Sequence, residues 1–181
     1  MPSLVGSEMC IRDRCRAIRE GKTKYSENAG LLALRQAIAE YLHRTEGLSY
    51  DPASQIVVTP GAMGALFLAL KVLLNPGDEV IVNEPCWTNY IQQIRMCGGV
   101  PVSVKTNAQR GFDLDVSAIA EAVTDKTKAI ILNSPCNPTG AVASTETLLQ
   151  LAELAQKQDL VILADEVYKH CLLYTSPSPR D

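Results

Sequence analysis

Apolar positions along this chain alternate between two spacings, and the alternation predicts helices and strands in turn. From 31 to 47, LLALRQAIAEYLHRTEG carries its apolar residues at helical intervals and stops at Gly47, a residue suited to ending a helix. QIVVT (55–59) is a short β-branched run that predicts a strand. GAMGALFLALKVLL (61–74) is apolar on nearly every side, which predicts a buried helix. The turn Asn75-Pro76-Gly77-Asp78 leads into a second strand, EVIVN (79–83). A helix over 88–97, a third strand VPVSV (100–104) and a helix opened by Asp-Leu-Asp over 113–123 follow. KAIILN (128–133) is a fourth strand, 144–158 an amphipathic helix with Ser144 as its N-cap, and LVILAD (160–165) a fifth strand. Strands alternating with helices predict an α/β fold with a mainly parallel sheet.

Composition narrows the function classes. The 181 residues are 46% hydrophobic and 20% charged, as expected of a globular protein. A net charge of −3 offers no general attraction to nucleic acid or to an anionic membrane, and no apolar run is long enough to span a bilayer. Six cysteines without a C-x-x-C pair suggest neither a metal site nor a disulfide framework. Free thiols in a reducing, cytoplasmic compartment are expected.

Unusual residues collect where the strands end, the place at which open α/β sheets bind ligands. After 55–59 come Pro60-Gly61-Ala62-Met63-Gly64, small residues at a helix start whose amides suit a phosphate; tight packing explains such glycines equally. After 79–83 comes Trp87, the only tryptophan, either a flat face for a planar ring or a core side chain. The fourth strand delivers NSPCNPTG (133–140), in which two prolines and a glycine hold Asn137 in an irregular backbone. The fifth ends in Asp165-Glu166-Val167-Tyr168; an acid closing an apolar strand needs a partner, as ligand contact or structural cap. No G-x-G-x-x-G or P-loop is present, which argues against a nicotinamide dehydrogenase.

Together these residues resemble the class I/II, fold-type I aminotransferases that use pyridoxal 5′-phosphate (PLP), in particular their aspartate aminotransferase-like branch. The resemblance starts at GKTKY (21–25), passes through G-x-x-x-L-R (30–35) and PGDEV (76–80), and is sharpest at NSPCNPTG (133–140) and ADEVY (164–168). It implies the three-layer α/β/α large domain of a PLP-dependent transferase, here incomplete, and an enzyme exchanging an amino group between an amino acid and a 2-keto acid. By the same resemblance Asp165 pairs with the pyridine nitrogen and keeps it cationic. Tyr168 and Asn137 bond the ring's phenolic oxygen, Trp87 stacks on the ring, and Gly61, Ala62 and Met63 form the phosphate-binding helix start. Tyr25 reaches the phosphate of a neighbouring subunit's cofactor, which implies a homodimer. A PLP-dependent carbon–sulfur β-lyase and the PLP-sensing domain of a transcription regulator share these residues and stay open as alternatives.

The two ends read differently. DNA encoding 3–14 (SLVGSEMCIRDR) has a complementary strand that encodes, in another frame, 171–181 (CLLYTSPSPRD). Both resemble translated sequencing-library adapter, so 1–14 and 171–181 are expected to lie outside the fold and 15–170 to be a partial large domain. The family's Schiff-base lysine and its substrate-gripping arginine are expected downstream of 170. Lys169 lies too near Tyr168 to be that lysine, so the chain as written is expected to be inactive and poorly folded. Two further strands of the family, from the portion downstream of 170, are expected to lie in the sheet between the strand at 55–59 and the strand at 128–133.

Overall fold

The computed structural model describes residues 2–171, which fall into two compact units, Met1–Thr59 and Pro60–Asp181. The first holds α1 (Pro2–Arg19) and α2 (Leu32–Glu46). The second holds α3 (Ala62–Leu73), β1 (Glu79–Glu84), α4 (Asn89–Met96), β2 (Val100–Lys105), a 3₁₀ turn (Ala108–Arg110), α5 (Val116–Ala122), β3 (Thr127–Asn133), α6 (Thr145–Lys157) and β4 (Val161–Asp165). No helix among the described residues is long and apolar enough to cross a membrane.

The expected parallel sheet forms in the second unit, with strand order β2-β1-β3-β4 and every pairing parallel. Its two central strands, β1 and β3, are buried on both faces, and residue parity decides which face each side chain joins. Val80, Val82, Ala129 and Ile131 point to one side and pack with Leu70 of α3 and with Tyr90 and Ile94 of α4. Ile81 and Ile130 point to the other and pack with Ile119 of α5 and Leu151 of α6. Three layers result, α/β/α. Helix ends follow the sequence signals: Gly47 closes α2 at φ 69°, Ser144 Oγ caps α6 through the Thr147 amide, and Asp115 caps α5 through the Ala118 amide.

In the first unit Arg35 is the tether. It is only 4% exposed. Its guanidinium donates to the carbonyls of Gly30 (3.0 Å), Pro52 (2.7 Å) and Ala53 (3.1 Å) and pairs with Glu27 at 2.6 Å. Gly30 sits at φ +92°, and a Cβ there would lie 2.6 Å from that of Val58, so only glycine lets the two segments close.

Three expectations need correction. Residues 55–59 are not a strand: a strand needs a neighbouring strand for its ladder, and the Val58 amide donates instead to the Ala29 carbonyl of a loop, 2.9 Å. Helix α3 is not buried all round. Leu70 is enclosed, whereas Leu68 and Val72 (86% exposed) face outward, because the sheet covers one side only. β4, not β3, forms that edge of the sheet and is half-open, since β3 is its only strand partner among the described residues. Helix α1 runs through residue 14 without a break. Its side chains from 11 to 19 are nearly all exposed. The tail, apart from Cys171, lies outside the described residues.

Candidate cofactor site

The order β2-β1-β3-β4 places a topological switch point between β1 and β3. The chain leaves β1 toward β2, then returns past β1 to lay down β3 and β4. Connections departing in opposite directions open a crevice at the carboxyl ends of the two central strands. The loops after β1, β3 and β4 all emerge there, carrying Trp87, Asn137 and Asp165–Tyr168.

Six residues named from the sequence line one hollow of about 180 Å³, Ala62, Met63, Trp87, Asn137, Asp165 and Tyr168, and the fold adds Tyr90 and Val167. An apolar cavity of about 150 Å³ accepts a six-membered ring, so one substituted heteroaromatic ring is the right size of guest. Gly61 stands just before it as the N-cap of α3, at φ 81°. The first amides of α3 lack partners one turn back, as at any helix start, and the helix dipole there favours an anion. Tyr25 belongs to the other unit and its side chain is fully exposed.

Hydrogen bonds hold the polar members in place. Asp165 Oδ2 accepts from the Tyr90 hydroxyl at 2.6 Å and Oδ1 from the Val167 amide at 3.1 Å, so both carboxylate oxygens are oriented. Tyr168 Oη accepts from Asn137 Nδ2 at 3.4 Å. The Asn137 amide donates to Asn133 Oδ1 at 2.8 Å, and Asn133 Nδ2 donates to the Asp165 carbonyl at 3.2 Å. Tyr168, Asn137, Asn133 and Asp165 thus form one string that joins the ends of β3 and β4. Lys169 is turned to Glu166 at 3.0 Å.

Three contributors escaped the sequence reading. Tyr90, 2% exposed, sits in the first turn of α4 and meets the Trp87 ring edge-on at 5.5 Å. Burial first, and then the bond to Asp165, push its hydroxyl well above the usual phenol range, so it remains a donor. Gln93 Nε2 donates to the Met63 carbonyl at 3.1 Å and ties α4 to the start of α3. Asn133 orders the string just described. The usable signal was position: Asn133 ends an apolar strand, while Tyr90 and Gln93 lie one helical turn apart behind Trp87.

The model of the aminotransferase class I and II family matches residues 10–178, nearly the whole chain. The chain belongs to this family. The match overlaps both ends that the sequence had set aside. The aspartate/prephenate aminotransferase of Thermus thermophilus is 46% identical over 157 residues, covering 87% of this chain and 40% of that protein. Among solved structures, the T. thermophilus aspartate aminotransferase with maleate superimposes at a TM-score of 0.83 with 46% identity, over 89% of this chain and 42% of the other. The N-succinyldiaminopimelate aminotransferase of Mycobacterium tuberculosis gives 0.84 with 41% identity, over 88% and 42%. This class I/II chain therefore spans about 40% of the length of the curated relatives it matches.

The high-lying Tyr90 hydroxyl has a consequence for pH. A phenol harder to ionise in the fold than in the unfolded chain stabilises the fold fully below about pH 10, its unfolded value, and loses that contribution as pH rises beyond it. Alkaline titration of the melting temperature is therefore expected to fall above about pH 10, and to fall less steeply in Tyr90→Phe. Equal slopes for the two proteins would refute the assignment.

Proposed function

We propose that this chain carries much of the PLP cradle of an enzyme that exchanges an amino group between an amino acid and a 2-keto acid. The observation that carries the proposal is the single ring-sized hollow on which Ala62, Met63, Trp87, Asn137, Asp165 and Tyr168 converge. The donor set suits the cofactor part by part. Asp165, with both oxygens already oriented, holds a proton on the ring nitrogen and keeps it cationic. Tyr168 and Asn137, already bonded to each other, offer their remaining donors to the ring's phenolic oxygen. Trp87 covers the ring face and excludes water from it. The α3 start at Gly61, Ala62 and Met63 receives the phosphate through amides and dipole. When bound, PLP supplies an electron-accepting ring and an aldehyde that takes up the amino group.

Tyr25, exposed on the first unit, extends to the phosphate site of a second subunit, so the working form is a homodimer with small-molecule substrates in the cytoplasm. A lyase would use the same cradle and release pyruvate and ammonia instead. The test is to incubate the full-length protein bearing this sequence with PLP, an amino acid and a 2-keto acid. Expected are a PLP absorbance band on the protein and amino-group exchange without ammonia. Ammonia release alone would replace transfer with elimination, and absence of the band would sink the cofactor reading.

A further inference from the structure

Two cysteines stand beside the cradle without a part in it. Cys86 follows the end of β1, and Cys136 follows the end of β3. These strands are parallel neighbours in which Val82 lies opposite Ile131. The paired register ends at that couple, and the two loops carry the cysteines onward from there. Side-chain placement brings the two residues together. Cys136 Sγ lies 3.7 Å from the Pro85 carbonyl oxygen, whose carbon is bonded to the Cys86 nitrogen. Both residues line the same small cavity of about 30 Å³, and both are partly exposed. The cavity gives the sulfurs room to move together.

We propose that Cys86 and Cys136 are a redox pair that closes to an intrachain disulfide. With a peroxide as oxidant, one thiol takes an oxygen to become a sulfenic acid and releases a water or alcohol. The other thiol then displaces water from it, forming the S–S bond. Two thiols are oxidised and one peroxide is reduced. The bond ties the loops after β1 and β3, which bear Trp87 and Asn137 one residue further on. On the cofactor reading given above, closure draws Asn137 from Tyr168 and turns Trp87, so the oxidised protein releases PLP.

The experiment treats the full-length, PLP-loaded protein with hydrogen peroxide, blocks remaining thiols with iodoacetamide, and maps peptides by mass without reduction. Expected is a peptide pair joined through Cys86 and Cys136, with loss of most bound PLP that dithiothreitol and fresh PLP restore. Cys86→Ser and Cys136→Ser, made separately so that one folding failure does not decide the matter, keep their PLP under the same dose. Oxidation without the 86–136 linkage overturns the pair. Linkage with PLP retained, or equal PLP loss in both serine variants, overturns the release. If the reduced protein never takes up PLP, the cofactor reading fails instead, while the linkage is still judged from the peptide masses.

Discussion

On the proposed function, Asp165→Asn is expected to lower amino-group transfer by the full-length protein on the order of 10²–10³-fold, the scale on which removal of one preorganised electrostatic group reduces turnover. The carboxylate presents two acceptor oxygens, one held by the Tyr90 hydroxyl at 2.6 Å and the other by the Val167 amide at 3.1 Å. An amide keeps a single acceptor and no charge. It cannot favour the protonated ring nitrogen, so the ring loses its capacity to accept electrons. The loss should appear in turnover more than in the apparent affinity for substrate, because substrate binding does not depend on the ring nitrogen. Steady-state kinetics check it, and a loss smaller than about tenfold would remove Asp165 from the role.

The second large effect is on stability. Arg35→Met is expected to destabilise the protein by about 1–3 kcal/mol, the usual cost of leaving backbone acceptors without their donor. Methionine replaces the apolar stem of Arg35 but leaves the carbonyls of Gly30, Pro52 and Ala53 without their donor. These carbonyls join the segments before and after α2. Glu27→Gln serves as the contrast. The Glu27 side chain is 63% exposed, so its charge is worth at most about 1 kcal/mol. Denaturant midpoints of the two variants separate the readings. If both shift by the same small amount, Arg35 is an ordinary surface charge and the tether is wrong.

Each of these effects rests on a feature of different legibility. Arg35 was visible only as part of a family-like G-x-x-x-L-R stretch; its four partners lie 5 to 18 residues away. Asp165 was visible as an acid at the end of an apolar strand. Its partner Tyr90 stands 75 residues earlier, marked only by its place one helical turn before Gln93 and behind Trp87. Trp87, Asn137, Asp165 and Tyr168 were all named because strand ends in such sheets gather ligands, and the hollow at the switch point holds all four. Tyr25 was named by resemblance alone, and its role awaits a second subunit.

The sequence by itself determined the elements with local causes. β-branched runs became β1 to β4, and Gly47, Asp115 and Ser144 ended or began their helices through bonds spanning only a few residues. Tertiary structure alone decided which of these segments could use their potential. The run at 55–59 has strand composition yet pairs with no strand among the described residues, whereas β3 found β1 and β4 on its two sides. Helix α3 is apolar all round, but only the face against the sheet is covered. Short-range hydrogen bonds and periodicity are written residue by residue. Strand order, burial and the meeting of Tyr90 with Asp165 depend on which distant surfaces exclude water together, and that is settled only when the layers pack.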